Sequence, residues 1–128
     1  MKTGNLILVV EDDDVARELM RRALVRQGYE VRTAADGIEG FDAAIGEPPD
    51  LIITDVNMPA ADGAHLVRRV RDTREIESTP IVVTTGYGTG NATFMMSLGA
   101  DAYEPKPIDP QSLLATVRRL IGTLHERD

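Results

Sequence analysis

The stretch Leu6-Ile7-Leu8-Val9-Val10-Glu11-Asp12-Asp13-Asp14 joins an unbroken apolar run to four consecutive acidic residues. A continuous run of leucine and β-branched residues is typical of a strand that is covered on both faces. Strands of this kind belong to parallel sheets, whose ligands bind beyond the carboxyl ends of the strands. The stretch therefore predicts a buried strand that delivers acidic side chains to a site at the edge of a sheet.

Similar apolar runs recur along the chain and alternate with segments of helical periodicity. The further predicted strands are Tyr29–Thr33, Leu51–Thr54, Pro80–Thr84 and Ala102–Glu104. The predicted helices are Val15–Gln27, one marked by Ile38, Phe41 and Ile45, one marked by Leu66, Val67 and Val70, a short one that ends at Gly99, and one that begins after Asp109 with Pro110. Five βα repeats without long loops predict an α/β fold with a doubly wound, five-stranded parallel sheet and five helices.

Composition narrows the possible functions. The chain has 128 residues, 14 Lys and Arg against 21 Asp and Glu, and no cysteine, so we expect one domain over residues 1–128 and exclude a Cys-ligated metal site. The net charge of −7 disfavours direct binding of nucleic acid, whose phosphates are also negative. No apolar run is long enough for membrane insertion and no signal peptide is visible, so a cytoplasmic location is expected.

The first and third predicted strands end in carboxylates. Glu11 and Asp12 follow the first strand and Asp55 follows the third, so these groups should meet at one edge of the sheet. Hard carboxylate oxygens with room for waters suit Mg²⁺. An alternative is that Asp13 or Asp14 caps the first helix and that Glu11 is solvated. Capping fits Asp13 and Asp14, but Asp12 and Asp55 each follow a buried apolar run and favour the metal site.

Thr85 and Lys106 end the fourth and fifth strands at the same edge. A hydroxyl and an ammonium beside a metal-bound carboxylate can handle a phosphoryl group, because the cations neutralise its oxygens while the hydroxyl donates a hydrogen bond. Either residue alone indicates little. Complementary groups at the ends of four strands predict a phosphoryl-handling site.

Over essentially its whole length the chain resembles the receiver domains of two-component response regulators. The matching motifs occur in order at the predicted strand ends: Val9-Val10-Glu11-Asp12-Asp13, Asp55-Val56-Asn57-Met58-Pro59 with Asp62-Gly63, Thr79-Pro80-Ile81-Val82-Val83-Thr84-Thr85, Gly99-Ala100-Asp101-Ala102-Tyr103 and Lys106-Pro107. The resemblance implies a flavodoxin-like receiver fold with strand order 2-1-3-4-5.

The resemblance also implies a role for each matching residue. Asp55 corresponds to the phosphoacceptor and to a Mg²⁺ ligand, and Asp12 to a direct Mg²⁺ ligand. Glu11 would assist the metal through water, and Asn57 would bind it through its backbone carbonyl. The remaining matches are the switch hydroxyl Thr85, the phosphoryl-binding lysine Lys106 and the rotating aromatic Tyr103.

Residues next to the matching motifs differ from the common pattern or border the expected reaction path. Gly86 stands where the family more often has alanine, which would loosen the switch loop, and Pro105 would stiffen the approach to Lys106. By resemblance, the peptide bond that precedes Pro107 is expected to be cis. Asn57 and Tyr87 would border the path of attacking water and so tune dephosphorylation. Tyr87 either covers the phosphoryl group or swings into solvent.

The implied function is a phosphorylation-activated switch that does not act as an enzyme on other substrates. The phosphoryl donor would be a histidine kinase or a histidine phosphotransfer protein. Phosphorylation would change the surface formed by the fourth helix, fifth strand and fifth helix, and so control a downstream protein effector. Direct binding of nucleic acid is not expected.

Three alternatives remain open. The chain would equally fit a receiver cut from a larger hybrid kinase or regulator. A Mg²⁺-dependent aspartyl phosphohydrolase would need a second acid two residues after the nucleophile, where this chain has Asn57. A flavodoxin-like flavin binder would need a hydroxyl- and glycine-rich loop after the first strand, where this chain is acidic.

Two apolar groups have either a structural or a binding role. On the first helix, Val15 and Leu19 lie beside the predicted core face, and either widen the core or form a docking patch for a kinase or phosphotransfer helix. On the short fourth helix, Met95 and Leu98 fit the core, which leaves Phe94 or Met96 partly exposed.

Overall fold

The computed structural model describes residues 5–56, 63–86 and 90–122. Its strands are β1 Leu6–Val10, β2 Glu30–Ala34, β3 Leu51–Asp55, β4 Ile81–Thr85 and β5 Ala102–Pro105. Its helices are α1 Asp14–Arg26, α2 Gly37–Gly46, α3 Gly63–Arg71, α4 Gly90–Ser97 and α5 Pro110–Ile121. Strands and helices alternate along the chain, as the periodicity of the sequence predicts.

The strands form one parallel sheet in the order β2-β1-β3-β4-β5. The chain therefore reverses its direction of travel across the sheet between β1 and β3, which are neighbours. In doubly wound sheets this is the place where ligands bind, beyond the carboxyl ends of the two strands. The predicted fold class is confirmed.

Four strands extend one residue further at their carboxyl ends than the apolar runs predict. β2 includes Ala34, β3 includes Asp55, β4 includes Thr85 and β5 includes Pro105, because strand pairing continues through the register pairs Val10–Ala34, Asp55–Thr84 and Thr85–Pro105. Backbone hydrogen bonding does not require an apolar side chain, so hydropathy ends each strand too early. The polar residues Asp55 and Thr85 therefore belong to the hydrogen-bonded sheet itself and not to the loops that follow it.

The sheet has a core on each face. The core that α1 and α5 cover consists of Ile7, Val9, Met20, Leu24, Tyr29, Leu51, Ile53, Val82, Ala102, Leu113, Leu114, Val117 and Ile121. The opposite core, which α2 and α3 cover, contains Leu8, Val10, Ala34, Ala44, Ile52, Leu66, Val67, Val70, Ile76, Ile81, Val83 and Ala100. Successive strand residues alternate between the two faces, which is why the strands have continuous apolar runs.

Helix α1 begins where the acidic stretch provides a cap. The carboxylate of Asp13 accepts a hydrogen bond from the backbone N–H of Ala16 at 2.8 Å, as the capping interpretation predicts. Met20 and Leu24 are buried, whereas Val15 is 75% exposed and Leu19 is 43% exposed. The last two residues therefore do not widen the core.

The other two ambiguous residues, on α4, are also exposed. Phe94 is 56% exposed and Met96 is 39% exposed, while Leu98 packs against the core that includes Val83. The side chain of Met95 lies outside the described part of the chain. Helix α5 begins as predicted, with Asp109 as its N-cap and Pro110 in its first turn.

Edge strand β5 accommodates a proline without losing a bond to β4. The N–H of Lys106 donates to the carbonyl of Thr85 at 2.7 Å. Because successive backbone nitrogens alternate in direction along a strand, the nitrogen of Pro105 faces the open edge of the sheet. Proline is tolerated at such a position, since no ladder hydrogen bond is lost.

At the opposite end of the sheet, Arg71 connects several segments. Its guanidinium donates to the carbonyls of Gly99 at 3.0 Å, Glu77 at 2.9 Å and Thr79 at 2.8 Å, and it pairs with Asp101 at 2.9 Å. Gly99 has a φ of +116°, which favours glycine, and a Cβ there would lie 3.0 Å from Cγ of Arg71.

No helix in the described part of the chain is long and apolar enough to cross a membrane.

Gly63, at the start of α3, is expected to be required for the geometry of the site. A Cβ at this position would lie 2.3 Å from the carbonyl oxygen of Asp55. Gly63→Ala should therefore lower the free energy of unfolding by about 1–3 kcal/mol. Gly46→Ala is a matched control, because nothing lies within 4 Å of its Cβ position and alanine favours the helix. Urea denaturation of both variants tests this, and equal stabilities would contradict it.

Candidate functional site

Three carboxylates converge where β1 and β3 end side by side. Glu11 and Asp12 directly follow β1, and Asp55 is the last residue of β3. One oxygen from each of these side chains lies within 4.8 Å of the others. Glu11 is fully buried, Asp55 is 3% exposed and Asp12 is exposed. The structure thus brings together the acidic residues that the strand ends predict.

Glu11 is an integral part of the buried site, so the interpretation of this residue as solvated is wrong. Its Oε2 accepts a hydrogen bond from the backbone N–H of Asp13 at 3.1 Å, and its backbone carbonyl accepts one from Arg17 at 2.8 Å. Burial raises the pKa of the Glu11 carboxyl above its ordinary value, and the charge of Asp55 raises it further against the lowering effect of Lys106. Glu11 is buried because the chain stays packed beside β2 after β1 ends. The N–H of Glu11 donates to the carbonyl of Ala34, the last residue of β2.

Lys106 supplies the positive charge of the site. Its Nζ lies 2.9 Å from Oε1 of Glu11 and 3.1 Å from Oδ2 of Asp55. Burial lowers the pKa of this ammonium, but its contacts with Glu11 and Asp55 outweigh burial and raise the pKa above its ordinary value. One cation therefore faces three carboxylates, and the described site keeps an excess of negative charge.

The fourth strand brings two threonines to the same end of the sheet. Thr85 is 4% exposed at the end of β4, and Thr84 is completely buried one residue earlier. Because strand residues alternate between faces, the two hydroxyls lie on opposite faces of the sheet. Thr85 shares its face with Val83, on the side of α3, and Thr84 shares its face with Val82, on the side of α5.

The predicted rotating aromatic, Tyr103, is 44% exposed on β5. It pairs in register with Val83, so its side chain is on the same face of the sheet as Thr85. The Lys106–Pro107 peptide bond, which follows this strand, is cis. Gly86 is exposed, and the one heavy atom of the described residues that a Cβ there would meet within 4 Å is Cδ of Lys106, at 3.9 Å. Space at this position thus admits alanine.

Some predicted residues lie outside the described ranges. The backbone carbonyl of Asn57 and the side chain of Tyr87 belong to this group, so the predictions made for them stand as predictions. His65 is exposed on α3.

Sequence reasoning missed one buried polar residue near the site. Glu104 is 5% exposed on β5, and its two carboxylate oxygens accept hydrogen bonds from Ser112 at 2.8 Å and from Thr116 at 2.6 Å. From the sequence alone, the glutamate between Tyr103 and Pro105 is predicted only to end an apolar strand. The available signal was the spacing of the two hydroxyls by four residues, which places them on one face of α5.

The donor set fits a hard divalent cation. Carboxylate oxygens of Glu11, Asp12 and Asp55 are the ligand type that Mg²⁺ prefers, and the exposure of Asp12 leaves a side of the cluster open to water. Mutual repulsion of the carboxylates, for which Lys106 compensates only in part, favours such a cation. These residues could therefore hold Mg²⁺.

Comparison with known proteins identifies the family. A family model described as the response regulator receiver domain matches residues 7–118. The chain belongs to the response regulator receiver domains. The matched residues of this receiver domain include β1 from Ile7 onward, the other four strands in full and the start of every helix.

Curated relatives of this receiver domain are response regulators. Response regulator MprA of Mycobacterium avium (strain 104) is 40% identical over 123 residues, which are 95% of this chain and 53% of that protein. Response regulator MprA of Mycobacterium tuberculosis (strain ATCC 25177 / H37Ra) is likewise 40% identical over 123 residues, with the same coverage of 95% and 53%. The receiver domain thus spans about half the length of the curated relatives it matches.

Solved structures with the same fold include a chemotaxis protein and the receiver domain of a sensor histidine kinase. Chemotaxis protein CheY4 of Vibrio cholerae has a TM-score of 0.86 and 35% identity, over 91% of this chain and 98% of that chain. The receiver domain of sensor histidine kinase PA1611 from Pseudomonas aeruginosa PAO1 has a TM-score of 0.87 and 30% identity, over 94% of this chain and 99% of that chain. That structure has a magnesium ion coordinated in its active site cleft.

The raised pKa of Glu11 predicts a pH dependence of stability. The folded state binds the proton of Glu11 more tightly than the unfolded chain, where the pKa is near 4.5, so the free energy of unfolding should fall as pH rises from 4.5 through the folded pKa. Each unit of this shift corresponds to about 1.4 kcal/mol. Glu11→Gln cannot ionise and should show a shallower fall.

Urea denaturation of the wild type and Glu11→Gln in EDTA, between about pH 4 and pH 8, measures the difference in slope. Parallel stability curves for the two proteins would show that Glu11 ionises as easily in the folded state as in the unfolded chain.

Asp12 is expected to be needed for stabilisation by Mg²⁺. A cation that binds only the folded state raises the free energy of unfolding by RT ln(1 + [Mg²⁺]/Kd), about 2.7 kcal/mol at a hundredfold excess over Kd. Asp12→Ala should lose most of this gain. Asp14→Ala is the matched control, since Asp14 is a neighbouring exposed acid that pairs with Arg17 outside the cluster. Melting temperatures with EDTA and with Mg²⁺ test this, and equal shifts in both variants would contradict it.

Proposed function

We propose that this receiver domain accepts a phosphoryl group on Asp55 from a phosphohistidine donor, with Mg²⁺ held by the acidic cluster. The observation that carries the proposal is the ammonium of Lys106, placed 3.1 Å from Oδ2 of Asp55 and 2.9 Å from Glu11. A fixed cation beside an almost buried carboxylate at a sheet edge is the arrangement that a transferred phosphoryl group needs.

The transfer is a displacement at phosphorus. A carboxylate oxygen of Asp55 forms the new O–P bond while the N–P bond of the donor phosphohistidine breaks, and the electron pair of the broken bond stays on the imidazole nitrogen. Bound Mg²⁺ would supply charge neutralisation for the phosphoryl oxygens. Among the chain's own residues, Asp12, Glu11 and the backbone carbonyl of Asn57 would hold the metal.

Two further residues would bind the product. Lys106 would exchange part of its contact with Asp55 for a phosphoryl oxygen, because the acyl phosphate carries about −1.5 to −2 charge. Thr85 would donate a hydrogen bond from its hydroxyl to a phosphoryl oxygen, from the face of the sheet on the side of α3. Movement of Thr85 toward the phosphoryl group would make room on the face that it shares with Tyr103, and so draw that half-exposed ring inward.

The output would be a change in the surface formed by α4, β5 and α5, read by a downstream protein effector. Phe94, Met96 and Tyr103 are exposed there in the described state, so a change in any of them alters an apolar surface. The role is that of a cytoplasmic switch, which catalyses only its own phosphorylation and dephosphorylation.

The donor would dock on α1. Val15 and Leu19 line an open groove of about 600 Å³ that also includes Ala23 and Pro110. Asp14 lines the same groove and follows Asp12 of the acidic cluster by two residues. A histidine kinase or a histidine phosphotransfer protein could lay an apolar helix face in this groove and bring its phosphohistidine to Asp55.

The length comparison favours a second context for the same chemistry. Because the chain spans about half of its curated relatives, it would also fit a receiver that operates within a larger regulator or hybrid kinase. Phosphoryl acceptance at Asp55 is common to both contexts.

The acceptor assignment predicts a specific loss of modification. Acetyl phosphate with Mg²⁺ should add one phosphoryl group to the wild type, and Asp55→Asn should abolish the addition, since an amide oxygen is a poor nucleophile. Intact-mass measurement detects the change, and a reductive borohydride digest locates it. Asp14→Asn serves as the control and should be modified normally. Modification of Asp55→Asn at the wild-type rate would overturn the assignment.

A further inference from the structure

Two neighbouring residues of β5, Tyr103 and Glu104, point to opposite faces of the sheet. Tyr103 points to the face of Thr85, whereas Glu104, one residue later, points to the face of α5 and bonds to that helix. The proposed switch through Thr85 and Tyr103 leaves Glu104 unused. A buried carboxylate that is not part of the acidic cluster therefore requires its own explanation.

Glu104 binds α5 at two points. Oε1 accepts from the hydroxyl of Ser112 at 2.8 Å, and Oε2 accepts from the hydroxyl of Thr116 at 2.6 Å. The two donors are one helical turn apart, so the pair of bonds resists both rotation of α5 about its axis and sliding along it. Hydrogen bonds to an ionised carboxylate are shorter and stronger than neutral ones.

These bonds join β5 to α5 on either side of the turn that contains Lys106. Glu104 lies two residues before Lys106, and α5 begins four residues after it, at Pro110. At one end of this corner the N–H of Lys106 is held by the carbonyl of Thr85, and at the other Asp109 caps α5. With Glu104 bonded to Ser112 and Thr116, a displacement of the Lys106 backbone cannot occur without a response in α5.

We propose that Glu104 is a positioning residue that couples Lys106 to α5, and so carries the state of Asp55 to that helix independently of Thr85 and Tyr103. The proposal rests on the proposed phosphorylation of Asp55. A phosphoryl group there takes over part of the contact that Lys106 makes with Asp55, and so shifts the ammonium from its present position between Glu11 and Asp55. The two connections lie on opposite faces of the sheet, so a substitution on one face should leave the other intact.

The test follows both connections in one experiment. Beryllofluoride with Mg²⁺ stands in for the phosphoryl group, and amide chemical-shift changes are measured at Tyr103 and at the buried α5 residues Leu113 and Val117. In Glu104→Leu the α5 changes should fall by about fivefold or more while those at Tyr103 persist. In Thr85→Ala the pattern should be reversed.

Conservative substitution separates positioning from simple packing. Glutamine at position 104 can accept from one hydroxyl and donate to the other, so Glu104→Gln should keep most of the α5 response. Gln111→Ala, at an exposed neighbour of Ser112 on the same helix, is the matched control and should change neither response. Should Glu104→Leu fold poorly, Glu104→Leu combined with Ser112→Ala and Thr116→Val removes the whole polar group without leaving an unpaired hydroxyl.

Each result of this experiment either supports or overturns the coupling of Lys106 to α5. A full α5 response in Glu104→Leu, or an equal loss at Tyr103 and α5, would overturn the coupling and leave phosphoryl acceptance at Asp55 untouched. Absence of any shift in the wild type, together with absence of modification by acetyl phosphate, would overturn the proposed function and the coupling with it.

Discussion

The ion pairs of Lys106 with Glu11 and Asp55 are the interaction on which the site depends. Two carboxylates of negligible exposure sit within hydrogen-bonding distance of one ammonium, which offsets the cost of their burial. The compensation is incomplete, because Asp12 adds a third negative group to the cluster. Because negative charge is left uncompensated, the site has affinity for a further cation and is sensitive to any added anion. Both properties are requirements of a phosphoryl-accepting switch.

Much of this arrangement could be predicted from the sequence because parallel sheets impose it. The unbroken run that ends in Val10 predicts a buried strand, and the position of Asp55 after a second such run predicts its neighbour. Whether a side chain at a strand end is solvated depends on the packing of later segments, and hydropathy carries no information on that. The burial of Glu11 could therefore not be predicted from the local pattern.

Buried polar residues are the second limit of sequence reasoning. In a run of apolar residues, a glutamate looks like the end of a strand, yet Glu104 faces the interior because Ser112 and Thr116 on α5 provide its donors. The partners are eight and twelve residues away, beyond the range of strand periodicity. Tyr103 and Glu104 point to opposite faces of the sheet, so the short strand β5 can serve two surfaces of the molecule.

The nitrogen of Pro105 has no hydrogen to donate and faces the open edge of the sheet, and this affects how the protein behaves at high concentration. An exposed sheet edge is a template on which a strand of another chain can pair, and this pairing leads to aggregation or fibre growth. Near the site the edge formed by β5 lacks a donor at Pro105, and the strand has only four residues. The edge of the sheet beside the site is thus a poor seed for self-association through backbone pairing.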